Sequence, residues 1–202
     1  REGEAAVVGL ACGQLVVAVL GALVISGEYS TGMIRSTLTA VPKRLPALWA
    51  KAVVLFVTTF FVGVVSTAAA FFVAQPILAG QGIEAGLLDS RVYPVLLGGA
   101  LYLALLAVFS LGIGAILRNS AGGIAAALGI VLLLPTLWSL IPWQWAKDAA
   151  PYLLSNAGNH LYSSRPEGGS FGLEPWQDLL VLLAWVAVSL AGAAVLLKRR
   201  DA

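Results

Sequence analysis

Leu48-Trp-Ala-Lys-Ala-Val-Val-Leu-Phe-Val-Thr-Thr-Phe-Phe-Val-Gly-Val-Val-Ser-Thr-Ala-Ala-Ala-Phe-Phe-Val-Ala74 is the stretch that decides the fold. Its only charge is Lys51, near one end. About 20 apolar residues in a helix cross the hydrocarbon core of a bilayer, so this run is long enough to cross with a tilt. At that depth no water is available, and backbone N–H and C=O groups must bond within the segment or within a closed barrel. Barrel strands alternate polar and apolar residues over about ten positions. This run is continuously apolar, so a membrane-spanning helix is expected.

Four other stretches meet the same criterion: residues 5–25, 93–117, 121–141 and 177–197. The chain is therefore expected to be an all-α polytopic membrane protein with one transmembrane domain over residues 1–202. Composition agrees. Of the 202 residues, 59% are hydrophobic and 11% charged, against about a quarter charged in an ordinary soluble domain. The mean hydropathy is +0.92. A net charge of +2 gives no basic field for nucleic acid. Cys12 is the single cysteine, so neither an internal disulfide nor a cysteine zinc cluster can form.

Charge sets the orientation. With the C-terminus inside, the inner segments hold Arg35, Lys43, Arg44, Lys51, Arg118, Lys198, Arg199 and Arg200, which are 8 of the 12 basic residues. Arg1, Arg91, Lys147 and Arg165 lie outside. Short loops rich in Lys and Arg stay cytoplasmic, which favours this arrangement in the plasma membrane. Trp143, Trp145, Tyr152 and Trp176 surround the outer loop, residues 142–176, where an interfacial aromatic belt belongs, and that loop has room for a short interfacial helix. Residue 1 then falls outside with no signal peptide. A preceding span is the simplest explanation, so six spans are expected of the intact protein.

The segment between the first two spans has a different character. Tyr29, Met33, Ile34, Leu38 and Val41 fall on one half of a helical wheel, and Glu28, Thr31, Gly32, Arg35, Ser36 and Thr39 on the other. Pro42 and Pro46 end the pattern. A short helix over residues 28–41 is expected along the cytoplasmic face. A plain interfacial anchor would carry Lys and Arg along its polar face. Here that face is mostly hydroxyls with one Glu and one Arg, and docking on a protein and anchoring in the membrane remain about equally open.

The run Glu28-Tyr-Ser-Thr-Gly-Met-Ile-Arg-Ser-Thr-Leu38, followed by Pro42-Lys-Arg44 and an apolar span, resembles the membrane subunits of type-two ABC exporters. It is most similar to those of actinobacterial drug and small-molecule exporters. Glu28, Gly32, Ile34, Arg35 and Leu38 match that family's pattern. The resemblance implies that this segment, Tyr29 and Thr31 included, is a coupling helix resting on an ATP-hydrolysing ABC subunit. It also implies a second permease half, identical or related, and export by alternating access.

The sequence offers no chemistry of its own. It has no G-x-x-x-x-G-K-[ST] loop to cradle phosphates and no H-E-x-x-H zinc motif. The one histidine, His160, lies in the outer loop, where a solvated or locally bonded side chain is the ordinary case. No enzyme activity, cofactor or metal is expected. Polar residues inside the spans are few: Gln14, Thr58, Thr59, Ser66, Thr67, Ser110 and Ser189. None is charged, which favours an apolar or amphipathic cargo over an ion. Gln14, Thr58 and Thr59 are the candidates for a transport pathway, although hydroxyls in helices commonly bond to their own backbone. The alternative to transport is a membrane anchor or assembly subunit that docks a cytoplasmic partner.

Overall fold

The computed structural model describes residues 2–32, 44–79, 92–162 and 174–199. In chain order these form α1 (Glu2–Thr31), α2 (Arg44–Ala79), α3 (Val92–Leu117), α4 (Ser120–Leu128), a π-helical turn (Gly129–Leu133), α5 (Leu134–Ser139), α6 (Gln144–Ala149), a 3₁₀ turn (Ala150–Tyr152), α7 (Leu154–Tyr162) and α8 (Pro175–Arg199). No strand occurs among the described residues. Among the described residues five segments are long and apolar enough to cross a membrane: Cys12–Ser30, Leu45–Ala70, Leu96–Leu117, Ser120–Ser139 and Pro175–Lys198. Each overlaps one of the five expected spans.

Helix α3 is the axis of the bundle. Tyr102, Leu106, Phe109 and Leu111 on it are fully buried, and α1, α2, α4, α7 and α8 all pack on it. Close approach depends on small residues, since lipid supplies no hydrophobic drive between helices. A Cβ on Gly21 would collide with the Ala107 carbonyl, and one on Gly112 would come within 2.6 Å of the Ser189 Oγ. By contrast α2 leaves Val53, Val57, Phe61, Val62 and Val65 exposed, an apolar face suited to lipid.

The first span runs further than the hydropathy indicated. It continues past Ile25 to Thr31, so Glu28, Tyr29 and Thr31 close α1 and do not begin a separate helix. Serines that would weaken the helix are absorbed by it. Ser26 Oγ donates to Ala22 O at 2.7 Å and Ser30 Oγ to Gly27 O at 2.9 Å. Gly32, with φ +74°, ends the helix in the left-handed conformation that glycine adopts without a Cβ penalty. The remainder of the expected coupling helix, including Met33, Ile34, Arg35 and Leu38, lies outside the described residues.

The fourth span is one helix in three pieces, α4, the π turn and α5. Pro135 explains the interruption: it has no N–H for the carbonyl of Val131 four residues earlier. Ser155 of α7 donates to that carbonyl instead, at 2.5 Å.

The described part of the expected outer loop is largely helical, and α7 is packed into the bundle. Leu154, Ser155, Ala157, Gly158 and Tyr162 on it are buried against α3, α8 and the π turn. A Cβ on Gly158 would run into the ring of Tyr102, so the helix seats only because that position is glycine. The tryptophans do lie at the rim: Trp145 is within 5.9 Å of both Trp138 and Trp143, and Trp143, Trp145, Tyr152 and Trp176 are exposed.

One expectation needs correction: the polar residues of the spans do include a charged type. Asp178, inside the expected span of residues 177–197, is 1% exposed in the first turn of α8. The helix start begins at Pro175, two residues before the expected span, and carries the carboxylate into the packed bundle.

Candidate functional site

The C-terminal end of α1 is held by three neighbours. The Glu28 carboxylate is paired with Lys51 Nζ of α2. Both side chains are half-buried, so the pair is better screened from solvent than an exposed one. One residue on, the Tyr29 ring lies 5.2 Å from the guanidinium carbon of Arg118, within cation–π range. Arg118 Nη2 in turn donates to Leu196 O of α8 at 3.5 Å. The last turn of α1 is thereby tied to α2, to the end of α3 and, through Arg118, to α8.

The position of Arg118 follows from local geometry. Its N–H donates to Gly114 O at 3.0 Å, closing α3, and its φ of 54° lies in the left-handed region that costs a non-glycine residue about 1 kcal/mol or more. Asn119 follows as the N-cap of α4, its side-chain oxygen accepting from Gly122 N at 3.2 Å. The α3–α4 turn is so short that its one cation is driven under α1. Arg118 Nε is buried with no hydrogen-bond partner among the described residues, a desolvated cation for which a ring face is worth more than at an open surface.

The expected site residues divide into three groups. Glu28, Tyr29, Thr31 and Gly32 come together at the exit of α1. Ile34, Arg35 and Leu38 lie outside the described residues. The pathway candidates are dispersed. Gln14 Oε1 accepts from Tyr102 Oη at 2.9 Å, an interhelical bond in the middle of the bundle. Thr58 is exposed on α2 and donates to Val54 O at 2.8 Å and Leu55 O at 3.1 Å, and Thr59 beside it is half-buried. Among the described residues no group of three or more His, Cys, Asp and Glu side chains is arranged to hold a metal.

Sequence reasoning missed Lys51 and Arg118 as members of this site. Both were counted only as inner positive charges. Lys51 did carry a signal, as the one charge in a long apolar run that starts at the same interface where Glu28 ends the previous one. Arg118 carried none, because its role depends on the left-handed turn.

A family model described as ABC-2 family transporter protein matches residues 10–202. The chain belongs to this family. No curated protein and no solved structure matches it. As an ABC-2 member, the chain is a membrane permease subunit of an ABC transporter. The tied end of α1 is thus the described part of the permease nearest to the segment that resembles a coupling helix.

Proposed function

We propose that this ABC-2 permease is the membrane half of an ATP-driven exporter for an apolar or amphipathic small molecule or lipid, and that residues 28–41 receive the motion of a separate ATP-hydrolysing subunit. The observation that carries the reading is the tethering of Glu28 and Tyr29 to Lys51 and Arg118. A force applied just beyond Gly32 cannot move α1 alone; it pulls on α2, α3 and α8 together. Such a mechanical link is what a lever needs to switch a packed bundle between two arrangements, since packed cores are bistable and not continuously deformable. In this reading the C-terminus lies in the cytoplasm, a second permease half completes the pathway, and Gln14 stands at its edge.

The cargo class follows from the bundle interior. Among the described residues the polar side chains at mid-depth are amide and hydroxyl groups, and many bond to their own helices. An ion would require charged partners at that depth.

The test is the permease co-expressed with the ATP-binding subunit of its operon and reconstituted in liposomes. ATP hydrolysis stimulated by members of a panel of apolar and amphipathic dyes, with ATP-dependent movement of the same dyes, is expected. E28Q and G32A should retain folding and ATP hydrolysis but lose the stimulation. Hydrolysis indifferent to every dye and to both substitutions would favour a non-transporting anchor.

A further inference from the structure

At the end of the bundle assigned above to the outside, two buried polar atoms face each other without bonding. Asp178 Oδ1 in the first turn of α8 and His160 Nδ1 in the last turn of α7 are 3.7 Å apart. Neither has a hydrogen-bond partner among the described residues. The distance is too long for a hydrogen bond but within reach of an ion pair. The Asp178 side chain is 2% exposed, whereas that of His160 is 37% exposed, so the imidazole reaches solvent and the carboxylate does not. A buried carboxylate oxygen with no donor is costly, and an imidazole protonated on both nitrogens would face it with both a donor and a charge.

Among the described residues, the other titratable groups around the pair are engaged elsewhere or exposed. Within α7, Tyr162 donates to Asn159, and burial raises its phenol above the ordinary value of 10.0. From α3, Tyr102 is engaged with Gln14. The π turn, Gly129–Leu133, has no titratable side chain. Tyr152 of the 3₁₀ turn is exposed, as are Lys147 and Asp148 of α6 and Glu174 just before α8.

We propose that His160 and Asp178 form a proton-operated clasp between α7 and α8. A proton taken from solvent by the imidazole converts the facing pair into an ion pair and draws α7 onto α8. Its loss removes the charge from the ring opposite the carboxylate and loosens the clasp. Histidine is the side chain whose ordinary charge change falls between about pH 5 and 8, so the clasp is engaged on the acid side and opens as pH rises. Because α7 also seats on Tyr102 and caps the Val131 carbonyl, the proton controls how firmly that whole element is held in the bundle. The clasp concerns α7 and α8 alone and does not depend on the transport reading.

The test uses the full chain in lipid nanodiscs, purified without a polyhistidine tag, and involves neither ATP nor cargo. In the wild type, amide protection factors over residues 154–162, corrected for intrinsic exchange, should rise about tenfold from pH 8 to pH 5.5, the scale of one added charge-assisted contact. H160Q and D178N should show no such rise. With ¹⁵N-labelled histidine, the signal lost in H160Q belongs to His160, and its Nδ1–H resonance at pH 5.5 should move when Asp178 becomes Asn. Wild-type protection that is equal at both pH values, or a rise that persists in H160Q, would overturn the proposal. So would an Nδ1–H resonance indifferent to D178N. Should D178N fail to fold, the comparison of wild type with H160Q decides.

Discussion

The carboxylate of Glu28, in the last turn of α1, is paired with the ammonium of Lys51, 23 positions further along the chain in the first part of α2. The pair ties the C-terminal end of α1 to the start of α2. Two apolar helices that otherwise touch little are joined next to the segment proposed to receive the load.

Breaking this pair should cost little stability and much coupling. E28Q and K51Q are each expected to lower unfolding free energy by about 1 kcal/mol or less, as for partly screened ion pairs. The exchange E28K/K51E should restore part of what the single variants lose. A double-mutant cycle, read both in thermal unfolding in detergent and in cargo-stimulated ATP hydrolysis of the reconstituted complex, checks it.

Arg118 combines a useful cation with an unfavourable backbone. R118A should lose the contact with Tyr29 while keeping the left-handed strain. R118G should lose the same contact but relieve the strain, and is expected to be more stable than R118A by about 1 kcal/mol. Thermal unfolding of the two variants side by side gives the difference, and R118K should not replace Arg at a stacked site.

Ser155 and Pro135 should prove coupled although they lie on different elements. S155A removes the donor to the Val131 carbonyl and is expected to destabilise by about 1 kcal/mol. In a P135A background the same substitution should cost less, because residue 135 then offers its own N–H. Additive costs in the double mutant would contradict the account of the π turn.

Gly158 should tolerate no side chain. G158A places a methyl group in the Tyr102 ring, and overpacking of this kind typically costs about 1–3 kcal/mol. Protection of the α7 amides should fall with it. The smaller change Y102F keeps the ring and should leave α7 seated while freeing Gln14 Oε1.

The spans were legible because their signal is composition summed over some twenty positions, and no local detail can mask it. Their ends were not. The first span was expected to end at residue 25, yet the hydroxyls of Ser26 and Ser30 bond back to the helix, which runs on to Thr31. The outer segment was legible only as a loop with aromatic residues. The burial of α7 rests on pairings between distant positions, Gly158 with Tyr102 and Ser155 with Val131, that no periodicity encodes. The same holds for the functional end of α1: Glu28 and Tyr29 stood out by pattern, whereas Lys51 and Arg118 became partners only through packing.

The central claim is that the segment following Gly32 meets the ATP-hydrolysing subunit and passes its motion into α1. The most direct measurement is a site-specific photo-crosslink from position 35 in the assembled complex, with and without ATP. The account predicts a crosslink to the ATP-binding subunit whose yield changes when ATP binds. Crosslinks from that position to lipid alone, in either state, would contradict it.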